Sequence, residues 1–101
     1  MMAPPAPVSP SITPTRAPKS AAIRDSLGWV IFRQGHAADA LPLLTAAFSD
    51  EPGGDIGAHL GEVLWQLGQQ VEAEKIWSQA GAIDLENRML KATRQRLRAQ
   101  R

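Results

Sequence analysis

The chain contains no cysteine and no tyrosine, and its 101 residues include only three tryptophans and two phenylalanines. Without cysteine there are no disulfides and no thiolate metal sites, and the redox compartment stays open. Histidine is scarce too. His36 falls at a turn and His59 on a helix, and neither has a second histidine or a carboxylate at ligand spacing, so no metal is expected. No apolar run approaches the ~20 residues needed to span a bilayer, so no membrane insertion is expected. Residues 1–20 lack the apolar core of a secretory signal. Glu72 and Glu74 lie two apart and so point to different sides of a helix. There is no Ser-His-Asp order, phosphate-cradling glycine loop or nucleophile elbow. The expectation is a protein that is not an enzyme, with no catalytic residue and no cofactor. A chain this short buries only about 60–65% of its unfolded surface, which leaves room for one small domain.

Charge is present but unevenly placed. Residues 1–33 carry +3, residues 34–86 carry −8, and residues 87–101 carry six basic groups and no acid, within a net charge of +1. An acidic middle followed by a basic tail is the electrostatic pattern to explain.

Six of the eight prolines lie in residues 1–20. Proline lacks the amide donor and disfavours helix in the residue before it, so this segment reads as an extended, disordered arm. Its PxxP spacings, Pro4 to Pro7 and Pro7 to Pro10, suit either a polyproline ligand or a linker. Ser20 is placed to cap a first helix over 21–34, which Gly35 ends. A second helix is expected over 37–49, with Pro42 in its early part, and the turn cluster at 50–55 stops it. Asp55 is placed to cap a third helix running to about residue 67, closed by Gly68. A fourth runs over 70–82 and a fifth over 86–99. The fifth has the apolar arc Met89, Leu90, Thr93 and Leu97, with Arg88, Lys91, Arg94, Arg98 and Arg101 alongside.

Two stretches repeat one pattern: DSLGWVIFRQGHAADALPLLTAA over 25–47 and AHLGEVLWQLGQQVEAEKIWSQA over 58–80. Leu27-Gly28 answers to Leu60-Gly61, Ile31 to Leu64, Gly35 to Gly68, Ala40 to Ala73, Leu44 to Trp77 and Ala47 to Ala80. Every pair is 33 residues apart. Apart from the two turn glycines, Gly35 and Gly68, the other twelve of these fourteen positions are the expected repeat core. Self-similarity at this period is shared by two common repeat types. The T-P-L-H turn of ankyrin repeats is absent. The pattern W-x2-L-G-x2-Y…A-x3-F…P fits as Arg24-x2-Leu27-Gly28-x2-Ile31…Ala40-x3-Leu44…Pro52, and again as Gly57-x2-Leu60-Gly61-x2-Leu64…Ala73-x3-Trp77…Leu85.

The chain therefore resembles the tetratricopeptide repeat family. It departs from the pattern where Arg24 and Gly57 replace the tryptophan and Leu85 replaces the final proline, and its period is one short of the family's usual ~34. The resemblance implies an all-α helical-repeat superhelix made of two helix pairs, 21–53 and 54–87, and a capping helix over 88–101. DSLGW and HLGEVLW also resemble the last repeats of larger bacterial members of the family, which implies a fragment or a shortened gene product. The compartment is then cytoplasmic by default, or periplasmic if the parent is exported.

In this family the first helix of each pair lines a concave groove. The stripe there that faces away from the Leu-Gly core is Asp25, Trp29 and Phe32 in the first copy, and Ala58, Glu62 and Trp65 in the second. Such a groove would dock a short amphipathic segment, basic or neutral, on an apolar floor with acidic edges. The same rings serve as core if a neighbouring repeat, the arm or a second copy covers them. A protein or peptide is thus the expected partner, and a homodimer is expected because no preceding repeat covers the outer side of the first helix. The alternatives are an adapter using the basic fifth helix on nucleic acid, or a purely self-associating fragment. Nucleic acid is not the favoured partner, because no aromatic is interleaved in 86–101 and late cations also complement the helix dipole.

Overall fold

The computed structural model describes residues 18–100, with side chains from residue 21 onward. Within them lie five helices and no strand: α1 (Pro18–Arg33), α2 (Ala37–Asp50), α3 (Gly54–Gln66), α4 (Gln70–Ile83) and α5 (Arg88–Ala99). The expected arm falls outside the described residues over 1–17. Helix α1 starts at Pro18, ahead of the expected Ser20 cap. Proline fits a first helical position, since its missing N–H would have no intrahelical partner there.

The two inter-helix turns within the pairs are built alike. Gly35 has φ +93° and Gly68 φ +85°, a left-handed conformation that glycine adopts without a Cβ penalty. Each is followed by the same wrapping bond. His36 N–H donates to the Ile31 carbonyl at 3.1 Å, and Gln69 N–H donates to the Leu64 carbonyl at 2.9 Å. These 6→1 bonds satisfy end carbonyls and turn the chain back, so each pair is an antiparallel hairpin of helices. Two starts differ from expectation. Gly53, in extended backbone, precedes α3, and Asp55 does not cap it. Asp55 instead accepts from Asn87 Nδ2 at 2.8 Å. Asn87 is the cap of α5, its Oδ1 accepting from Leu90 N–H at 2.8 Å.

Helix α3 is the centre of the stack. It pairs with α4 on one side, receives α2 on another, and carries α5 on a third. Buried side chains run through all of them: Ala40, Leu44, Ala47 and Phe48, then Leu60, Val63 and Leu64, then Ala73, Trp77 and Ala80, then Leu90 and Leu97. Gly28 and Gly61 are buried as well, and Ile31 is half-buried against this core. Glycine at 28 and 61 lets the partner helix come close. A Cβ on Gly28 would sit 2.9 Å from Leu44 Cγ, and one on Gly61 would overlap the Trp77 indole.

Leu27 departs from the expected core. It is 50% exposed, as are its stripe neighbours Ile23 at 65% and Val30 at 51%. The residues 33 positions on are the same three types, Ile56, Leu60 and Val63. There Leu60 is 2% exposed, Val63 is 0% exposed, and Ile56 is half-buried against the core. The difference is one of position in the stack. Helix α3 packs against α2, α4 and α5 as well as α1, whereas among the described helices α1 packs against α2 and α3 alone.

Candidate functional site

The residues expected to form the groove divide into two groups. Those of α1 meet His59 of α3 in an aromatic cluster at the α1–α3 junction. The His59 ring stacks on Trp29, with centroids 4.1 Å apart and planes at 21°. Trp29 also touches Phe32, at a centroid distance of 5.1 Å. His59 Nδ1 lies 2.7 Å from Asp25 Oδ1. Asp25, Trp29, Phe32 and His59 are each half-buried, so the cluster has one packed side and one open side. The spacing of Asp25, Trp29 and Phe32 along one helical face is what brings them together. From sequence, His59 stands out only as a possible metal donor. Its place beside Trp29 follows from how the two helix pairs stack, which nothing local encodes.

Asp25 also lines a recess of about 370 Å³ beside the turn between α2 and α3. Glu51, Asp55 and Asp84 are on its walls, so the rim next to the cluster is acidic. The Nδ2 of Asn87 bridges two of these carboxylates, at 2.8 Å to Asp55 and 3.0 Å to Asp84. Among the described residues no group of three or more His, Asp or Glu is arranged to hold a metal ion. No helix there is long and apolar enough to cross a membrane.

The second expected stripe is not an open surface. Ala58, Glu62 and Trp65 are all buried. The indole of Trp65 lies against Trp77, with ring centroids 5.4 Å apart. Glu62 is held by α5: Arg96 donates from Nη2 to Oε1 at 2.8 Å and from Nη1 to Oε2 at 3.3 Å. This two-pronged hydrogen bond raises the Arg96 guanidinium above its ordinary pKa, against a smaller opposing effect of burial. The capping helix thus closes over the part of α3 that a bare helix pair would leave open.

The cations of α5 are similarly occupied. Arg98 Nε donates to Glu74 at 2.9 Å, which raises its pKa in the same way. Arg94 lies 3.9 Å from the same carboxylate, and Lys91 pairs with Glu86 at 3.4 Å. The basic tail and the acidic middle seen in the sequence therefore meet, acid on α3 and α4 against base on α5.

Against known proteins, 45 residues of the chain are 47% identical to a protein of Pseudomonas aeruginosa described as a TPR repeat-containing protein. The match covers 45% of this chain and 8% of that relative, so the chain spans a small part of the relative's length. No family model matches the chain, and no solved structure matches it. The 33-residue register and the paired-helix packing make it an all-α helical repeat, and over those 45 residues it is similar to a protein described as TPR repeat-containing.

Proposed function

We propose that this protein is an interaction module whose half-open cluster of Trp29, Phe32 and His59 receives a short amphipathic segment of a protein partner. The observation that carries the reading is the cluster itself. Two large rings and an imidazole lie against one another, Phe32 also packs on the core, and all three are half-buried. Aromatic side chains offer large contact area with little entropy left to lose, which is why they dominate binding hot spots. The acidic recess at Asp25, Glu51, Asp55 and Asp84 favours a segment carrying Lys or Arg beside its apolar residues. The binding surface is narrower than the groove expected from sequence, because Glu62 and Trp65 are taken up by α5 and α4.

The nucleic-acid alternative has less behind it. Phosphate contacts need available cations, and Arg94, Arg96, Arg98 and Lys91 already face carboxylates of the same chain. The test is a peptide library display selected on the full chain, with winners measured by calorimetry. The selected peptides are expected to be basic and amphipathic. Trp29→Ala should weaken them at least ~10-fold, a loss of about 1.4 kcal/mol, with the helical circular dichroism spectrum unchanged. Arg94→Glu with Arg98→Glu should leave them bound. Peptides that bind Trp29→Ala as well as the parent would sink the reading. So would affinity that vanishes in the arginine variant alone.

A further inference from the structure

We propose that His59 selects a cationic residue in the partner segment: its Nε2 accepts a hydrogen bond from a Lys or Arg of that segment, and protonation of the ring turns the same atom into a repelling donor. This inference rests on the peptide-binding reading and adds to it the atom that recognises the cation and the condition that releases it.

The tautomer follows from what holds the other side of the ring. Asp25 Oδ1 lies 2.7 Å from His59 Nδ1. A carboxylate accepts hydrogen bonds and has none to give, so Nδ1 carries the proton. In the neutral ring the remaining nitrogen, Nε2, is then a lone-pair acceptor. Nε2 bonds to no described residue. Among the described residues the buried side-chain nitrogens without a partner are Trp77 Nε1 and Arg94 Nε, so Nε2 is within reach of water. The orientation of the ring is fixed by its 4.1 Å stack on Trp29 and by Asp25, and His59 and Asp25 each keep only 15% of their side-chain surface exposed.

The surroundings suit a cation. Asp25 is the charged group that α1 brings to the ring, since Arg24 of the same helix pairs with Asp50 of α2. Glu51 and Asp55 at the α2–α3 turn, and Asp84 after α4, line the recess that Asp25 shares. On α3 itself Glu62, three residues on, is paired with Arg96 of α5, and Glu74 of α4 is taken by Arg98. An acceptor nitrogen beside a carboxylate makes a site for a cation rich in N–H donors. Protonation leaves the Asp25 contact in place, because Nδ1 keeps its proton and the ring gains a charge beside the carboxylate. What changes is Nε2, which becomes a donor on a cation. A Lys or Arg held there loses its acceptor and meets a like charge. The junction between α1 and α3 is thus kept while recognition is lost.

Two measurements on the full chain test this. Nitrogen NMR of the imidazole, with no peptide present, should find the Nδ1–H tautomer in the neutral ring, and Asp25→Asn should let the Nε2–H form appear. A neutral ring protonated mainly at Nε2 would overturn the proposal and leave the peptide-binding reading untouched. The binding probe is an end-capped amphipathic peptide of Leu, Lys and Gln, which has no group that titrates near neutrality. Its affinity should fall at least ~10-fold from about pH 7.5 to about pH 5.5, with the helical circular dichroism spectrum unchanged. The fall should track protonation of His59 and not that of His36, the other histidine, both followed by NMR. His59→Gln, which does not titrate, should show no such fall. Affinity that is constant across this range, a fall that follows His36, or one that survives His59→Gln would each overturn the proposal. A probe bound at neither pH, or bound equally by Trp29→Ala, would remove the peptide-binding reading and this inference with it.

Discussion

At the scale of single residues, the two Leu-Gly copies look equivalent, yet the glycines carry different loads. Gly61 faces the fully buried Trp77, whose indole would overlap any added Cβ. Gly28 faces Leu44, a smaller and more adjustable side chain, at 2.9 Å from the position of a new Cβ. Alanine brings back helix propensity of up to ~1 kcal/mol at either site, but overpacking a rigid core costs about 1–3 kcal/mol and sometimes more. Gly61→Ala should therefore destabilise the chain by roughly 2–3 kcal/mol, and Gly28→Ala by about 1 kcal/mol or less, read from urea midpoints. Equal effects at the two sites would contradict the view that the indole sets the fit. Leu27 and Leu60 make the same point without any substitution. They share residue type and register, and only one of them is buried.

At the scale of elements, α5 depends on more than its apolar arc. Leu90, Thr93 and Leu97 are buried, while Met89, expected on the same arc, is largely exposed. Asn87 fastens the start of α5 by accepting from Leu90 N–H and by donating to Asp55 at the beginning of α3. Loss of a cap of this kind costs about 1 kcal/mol. Asn87→Ala should therefore lower stability by about 1–2 kcal/mol, and Asn87→Asp should recover the cap but place a third carboxylate beside Asp55 and Asp84, leaving part of the loss in place at neutral pH. Thermal melts of the two variants at neutral pH and in acid check this. In acid, Asn87→Asp should regain more than Asn87→Ala does. The Arg96 pair behaves differently. Its guanidinium pKa is raised in the folded state, so the stability linked to the arginine's own titration is present below the ordinary arginine value and is lost in strong alkali. It adds no slope to stability near neutral pH.

At the scale of the whole molecule, α3 is the only described helix with neighbours on three sides, so the stack stands or falls with what covers α3. Repeat arrays sum their stability from units and interfaces, and two pairs sit near the lower limit of what holds together. Ending the chain after Glu86 removes the Leu90 and Leu97 contacts, each worth about 1.5–3 kcal/mol when fully buried. It also leaves Glu62 without Arg96. The truncated chain should lose its cooperative thermal transition by circular dichroism. A sharp transition within a few degrees of the parent would mean that α5 is an accessory rather than the lid of α3. The expected homodimer belongs to this scale too, and light scattering of the full chain at high concentration decides it: a monomer there would refute it.

The helices, their pairing and the repeat register are written locally. Apolar spacing selects a helical face, and the glycines at 35 and 68 end helices because only they take φ near +90° cheaply. What tertiary structure decided is which faces are wet. Leu27 and Trp65 occupy positions that the pattern treats as core and groove, and their exposures come out reversed. A stripe has no knowledge of its neighbour in the stack. Among the described helices α1 packs against α2 and α3 alone, and α5, drawn in by Glu62 and Glu74, closes the other end. Burial in a repeat is a property of the interface between units. The residues of one unit fix its shape, and the presence of the next unit fixes what that shape exposes.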